Sequence, residues 1–130
     1  MKALLALLGP LLLGSCGPSK PECEDVAARA WAIVAPVLEA HSACSVDADC
    51  LEAHDAPRCA NSCGVILASE GVDALRAAID KANREICDEY DGDGCVHPPP
   101  VPLCPYLGPP VCNNGKCGRP NPNSRFGRPM

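Results

Sequence analysis

Apolar residues along this chain come in bursts, and each burst has its own period. The first, residues 3–13, is almost wholly apolar and contains seven leucines. It is too short to span a bilayer as a helix, which takes about 20 apolar residues. With Lys2 giving a positive start, it has the make-up of an export signal. A different rhythm begins at residue 22. Val26, Ala30, Ile33, Val34, Val37 and Leu38 recur near the 3.6-residue period, which predicts a helix over 22–39 with one apolar stripe. Glu22, Glu24 and Asp25 fall in its first turn, where negative charge suits the helix dipole. Pro36 has no N–H to donate and is expected to kink this helix or end it early. Trp31 is expected to pack against the disulfide-held part of the core.

The clearest periodic element lies further on. Val72, Leu75, Ile79, Ala82 and Ile86 alternate three and four residues apart, with Ser69 as a candidate cap and Cys87 in the last turn. Asp80, Arg84 and Asp88 stand four residues apart and are expected to pair weakly along it. Asp91-Gly92-Asp93-Gly94 breaks the helix. Just before it, Val65-Ile66-Leu67 suits either a short strand or the approach to the helix. Residues 97–102 are too rich in proline for helix or central strand and should run extended. Asn114-Gly115, between Val111 and Cys117, is a strong hairpin signal. Residues 118–130 lack both periodicity and cysteine and are expected to be disordered.

Composition changes the picture at one point above all. Trp31, Tyr90, Tyr106 and Phe126 are the only aromatics, so large apolar side chains are scarce once the leucine-rich leader is set aside. A small domain with so little core material needs covalent staples. The chain has eleven cysteines, which in an exported protein read as a disulfide framework. The odd count calls for an explanation. Setting Cys16 apart leaves Cys23, Cys44, Cys50, Cys59, Cys63, Cys87, Cys95, Cys104, Cys112 and Cys117, which can pair completely. Spacing alone leaves the pairing open.

The residues just before Cys16 account for it. Leu13-Gly14-Ser15-Cys16 resembles the lipobox of bacterial lipoproteins: an aliphatic residue, two small ones, then cysteine. The resemblance implies cleavage between Ser15 and Cys16, a thioether-linked diacylglycerol on Cys16, and a further acyl chain on the new amino terminus. Two or three chains anchor stably, since each buried methylene contributes about 0.8 kcal/mol. Gly17, in place of aspartate, implies the outer membrane rather than retention in the inner one. Later motifs, Cys44-Ser-Val-Asp-Ala-Asp-Cys50 and Asn114-Gly115-Lys116-Cys117, make the chain similar to uncharacterised cysteine-rich bacterial lipoproteins. That likeness implies no activity. Cys44 to Cys50 with Arg58-Cys59 and Ser62-Cys63-Gly64 also resembles the start of whey-acidic-protein-type protease inhibitors, though the adjacent cysteine pair of that family is missing.

Candidate chemistry is sparse. No Cys-x2-Cys occurs, so zinc and thioredoxin-like readings are weak, and no metal site or cofactor is expected. His41, His54 and His97 show no ligand spacing and are expected on the surface or in loops. Residues 89–94 brush against a calcium-loop pattern, but its closing glutamate would fall at Pro100. Nucleophile elbows, phosphate loops and His-Glu-x-x-His are missing, and bridged cysteines are not thiolates, so no catalytic residue is expected. The net charge of −5, with Arg119, Arg125 and Arg128 in a tail free of acid, makes the body acidic and argues against nucleic acid. Those arginines are expected to be solvated, with anionic lipid headgroups as their alternative contact.

The sequence thus predicts a signal peptide over 1–15, a lipidated tether over 16–21, a disulfide-rich domain over 22–117 and a tail over 118–130. The domain should be small and mainly α, with two helices, cysteine-stapled loops and a short C-terminal β-hairpin. The expected function is that of a lipid-anchored structural or binding module of the cell envelope, partnered by the membrane and by an envelope protein or ligand. A disulfide-rich protease inhibitor is the alternative.

Overall fold

A computed structural model describes residues 20–95 and 103–121, and for Lys20 and Pro21 the backbone alone. Cys16, His97 and the residues beyond 121 lie outside that range. Helix α1 spans Lys20–Ala40, starting two residues before the expected position. Pro21 sits in its first turn, where a missing N–H leaves no bond unmade.

Pro36 does not end α1, which runs on through it to Ala40, so the early stop is not seen. Proline in a helix interior costs about 3 kcal/mol. Here the carbonyl it deprives belongs to Ala32, and both residues lie on the exposed face, where water can reach them. Val34, buried, and Val37 and Leu38, half-buried, pack against the core on the opposite side and offset the loss. Beyond Ala40 the His41 amide donates to Val37 O at 3.0 Å, and Ser42 Oγ donates to Glu39 O at 3.0 Å, closing the helix.

Strands β1 (Cys50–Ala53) and β2 (Val65–Ala68) form an antiparallel pair, with Leu51 opposite Leu67 and Glu52 opposite Ile66. The apolar run at 65–67 is therefore a strand. Its partner β1 lies in what the sequence presented as loop. A tight turn over Ser69–Gly71 leads into α2 (Val72–Ala82). Ser69 does not cap it: Gly71 holds the N-cap position and no side-chain cap is made. The helix continues through a π turn, Asn83–Cys87, into α3 (Asp88–Gly92). Gly94, at φ +71°, follows where the Asp-Gly repeat was expected to stop the helix. The π turn spoils four-residue spacing, and Asp88 pairs with Arg58 instead of Arg84.

Strands β3 (Val111–Asn113) and β4 (Lys116–Gly118) make the expected hairpin, with Asn114 at φ 50° and Gly115 at φ 77° in its turn. Left-handed values at both central residues are what a tight hairpin turn needs, and Asn-Gly supplies them with little strain. The hairpin also leans on the segment after α1: Cys117 N donates to Ser42 O at 2.7 Å and Cys44 N to Gly115 O at 3.0 Å.

The core is split in two. Val26, Ala30, Ala82 and Tyr90 pack with Cys59, Cys87 and Cys95 between α1 and the π turn with α3. Val34, Leu67, Leu75, Ala78 and Ile79 form a second cluster between α1, β2 and α2, with Ala53 of β1. Trp31 borders this second, cysteine-free cluster, not the disulfide-held one as expected. The stripe on α1 therefore serves both clusters, its N-terminal half meeting cystine and its C-terminal half meeting aliphatic side chains.

All ten of the cysteines from Cys23 onward are bridged: Cys23–Cys95, Cys44–Cys112, Cys50–Cys117, Cys59–Cys87 and Cys63–Cys104. Four of these close loops of 41 to 72 residues, long enough to remove much conformational entropy from the unfolded chain. The molecule is small, disulfide-rich and helix-dominated, with two short hairpins.

Candidate functional site

The segments that the bridges hold differ sharply in exposure. Arg58, one of the residues that carry the likeness to protease inhibitors, is bonded into the fold. Its amide donates to Asn83 Oδ1 at 2.8 Å, and its Nη1 to Asn83 O at 2.8 Å. Nη2 reaches Asp88 Oδ1 at 2.6 Å and Asp91 Oδ2 at 2.8 Å. Both the side chain and the carbonyl of Asn83, the first residue of the π turn, are thereby tied to Arg58. The two aspartates hold the Arg58 guanidinium charge firmly, Asp91 more than Asp88. Cys59 beside it is wholly buried.

The other arm of the molecule is open. Residues 103–110 run without helix or strand from Cys104 to the start of β3. Leu103 is 99% exposed, Tyr106 86% and Leu107 54%, and with Val46 they are the large apolar side chains that face solvent among the described residues. Apolar groups collected on one short segment in a domain so poor in them are unlike scattered surface leucines, and such patches mark interaction sites.

This arm is exposed yet held. Cys104 is bridged to Cys63 in the β1–β2 loop, and Cys112, just beyond the arm, to Cys44. The Cys112 amide donates to Asp47 Oδ1 at 2.7 Å. Between these clamps stands Gly108, buried and at φ +87°, a backbone conformation that glycine adopts without strain. Its carbonyl accepts a bond from Arg119 Nη1 at 3.3 Å. The same nitrogen donates to Glu52 Oε2 at 2.9 Å, and Arg119 Nη2 to Glu52 Oε1. The pair is about three-quarters buried on each side. Its two-pronged hydrogen bonding to Arg119 holds the Glu52 carboxyl below its usual range, against the opposing effect of burial. Arg119, expected in a disordered tail, is thus the strut between β1 and the arm, and Gly118 belongs to β4. Gly64 makes room for the strut: at φ +98°, a side chain there would run into the Glu52 carboxylate.

Other charged side chains hold the fold together. Arg29 joins Glu89 at 2.6 Å and Asp25 at 3.2 Å, tying α1 to α3 and holding Glu89 below its usual range. With Asp91 on Arg58, two of the acids in the calcium-like stretch are committed to arginines. Asp49 accepts the amides of Ser45 and Val46 and is likewise lowered. His54 is exposed as expected, but His41 is half-buried against Gly71, with Nδ1 lacking a partner among the described residues. The sulfurs of Cys44, Cys50 and Cys117 lie within 4.8 Å of one another. Each is consumed in a disulfide, so the cluster is a double clasp between residues 44–50 and the C-terminal hairpin, not a thiolate site.

Sequence reasoning missed the arm because its signal is weak. Tyr106-Leu107 has no period and sits among prolines. The usable hint was that one of the chain's few aromatics lies outside every predicted element. Comparison of this chain with protein-family models, with curated proteins and with solved structures finds no match.

Proposed function

We propose that this chain is an exported lipoprotein whose bridged domain serves at the membrane surface as a structural or binding module of the cell envelope, without catalysis. The cysteine arithmetic supports this reading most. With every cysteine from Cys23 onward in an intrachain bridge, Cys16 alone is left over from the eleven. Lipidation at Leu13-Gly14-Ser15-Cys16 gives that cysteine a use, and bridges of this kind persist in exported proteins. Among the described residues no helix is long and apolar enough to cross a membrane. Attachment in this reading rests on the acyl chains at Cys16, with Gly17 favouring the outer membrane.

A binding role suits the chemistry that is present. Bridged cysteines offer no nucleophile, and Glu52, Glu89 and Asp49 are held ionised by hydrogen-bonding partners, which makes them poor proton donors. The exposed arm at 103–110, held on a cross-linked body, is the natural contact surface for an envelope protein or ligand. Nucleic acid is disfavoured by the net charge of −5.

Fractionation of the exporting cell tests the anchor. Cys16→Ser is expected to move the protein from the membrane to the soluble exported fraction with its fold intact. Continued sedimentation of the variant with membranes, free of detergent, would contradict the reading.

A further inference from the structure

We propose that the 103–110 arm is an inhibitory loop that occupies the cleft of an endopeptidase with an apolar specificity pocket, Tyr106 being the side chain that enters the pocket. This deepens the binding-module reading and rests on the domain being exported and oxidised.

Enzymes that cut proteins bind their substrate extended, through main-chain hydrogen bonds, with one side chain seated in a pocket. A segment that fills such a cleft needs free main-chain groups. Among the described residues, no backbone–backbone hydrogen bond ties Pro105, Tyr106 or Leu107 to the rest of the molecule. It also needs a large side chain offered outward, and Tyr106 is 86% exposed. Helix-binding grooves are ruled out as hosts, because Pro105, Pro109 and Pro110 forbid a helix here. Tyr106 and Leu107 are adjacent, and in extended chain adjacent side chains point to opposite sides. A flat groove would take one and leave the other in water. A cleft with pockets on both sides of the bond to be cut takes both.

Two further features suit an inhibitor better than a substrate. Prolines and bridges restrict the arm before binding, so little conformational entropy is left to lose. Arg119, braced by Glu52, holds the Gly108 carbonyl and keeps the arm on the body. Cleavage would not release it either. Were the bond between Tyr106 and Leu107 cut, Cys104–Cys63 and Cys112–Cys44 would still tether both new ends to one body.

The test uses the full exported, oxidised chain in mild detergent, titrated into chymotrypsin and into trypsin with a chromogenic peptide as reporter. Chymotrypsin has an apolar pocket and trypsin an acidic one. The expected result is inhibition of chymotrypsin alone, weakened about a hundredfold by Tyr106→Gly, as for an interface anchor. Tyr106→Lys should transfer inhibition to trypsin. Since Tyr106 is exposed, unchanged melting temperatures should show that both variants keep the fold. Absence of inhibition at micromolar protein, digestion of the arm as an ordinary substrate, or inhibition indifferent to Tyr106→Gly would each overturn the proposal. That failure would leave the anchor untouched, because membrane attachment is read separately through Cys16→Ser.

Discussion

Glu52 in β1 and Arg119, one residue past β4, stand 67 positions apart in sequence and form a two-pronged ion pair that also carries the Gly108 carbonyl. The pair joins the first hairpin to the C-terminal arm without a covalent bond. Unlike the disulfides that flank the arm, this strut can be released by pH.

Glu52 lies below the usual carboxylate range chiefly because Arg119 hydrogen-bonds its ionised form. A carboxylate depressed in the folded state contributes stability that is fully present above its unfolded pKa, about 4.3 for Glu, and is lost as pH falls through the folded value. Glu89 on Arg29 and Asp49 on its two amides act in the same direction. Stability should therefore be level near neutrality and fall below about pH 4.3, continuing to more acid pH. In Glu52→Gln the segment 108–119 should exchange its amides about tenfold faster at neutral pH, the effect of losing a charge-assisted hydrogen bond. Its exchange should also lose the acid sensitivity expected of the parent. Hydrogen exchange followed by mass spectrometry across this pH range checks both points.

Gly64→Ala should release the same strut from the other side. A methyl group there meets the Glu52 carboxylate, and φ +98° disfavours any L side chain. A loss of about 1–3 kcal/mol is expected in denaturant titration. Gly92→Ala, at a position with open space around the missing side chain, should be tolerated.

Pro36→Ala is expected to stabilise. The helix already runs through Pro36 on its exposed face, and alanine restores the missing donor to Ala32 O. The gain is bounded by the proline penalty, about 3 kcal/mol, and should raise the melting temperature. A lower melting temperature would mean that the proline ring makes packing contacts that alanine cannot replace.

Cys87→Ala should be severe. Cys59 and Cys87 are both wholly buried in the cluster with Val26, Ala30 and Tyr90, and they clamp the π turn to the β1–β2 loop. Loss of a native bridge from a small exported domain typically costs about 2–5 kcal/mol, and here it also leaves a buried thiol and a void. Urea unfolding of the purified variant measures it. A near-parental midpoint would show that the helices pack adequately without the clamp.

Periodic patterns were the legible part of the fold. The spacing of Val26, Ala30 and Val34, and of Leu75, Ile79 and Ala82, reports side chains that are in fact buried. Asn114-Gly115 identified its turn through the left-handed backbone that only a few residue types accept. What escaped depended on partners distant in the chain. Strand β1 is Cys-Leu-Glu-Ala, four residues without strong strand propensity, and it exists because β2 pairs with it. Pro36 is a local defect overridden by the packing of Val34, Val37 and Leu38. Arg119 looked like a tail residue because Glu52, which orders it, is so far away in the sequence. The exposed arm was hidden for a related reason: exposure is set by what fails to pack, and no local pattern records it.

The central claim, a fully bridged domain held to the membrane by lipid at Cys16, is tested most directly by one measurement. The intact protein is extracted from its native membrane and weighed after alkylation, without and with prior reduction. The expected mass is that of a chain beginning at Cys16 with added diacylglycerol and acyl mass, with no alkylation before reduction and ten alkyl groups after it. A lipid-free mass, or thiols that alkylate before reduction, would contradict it.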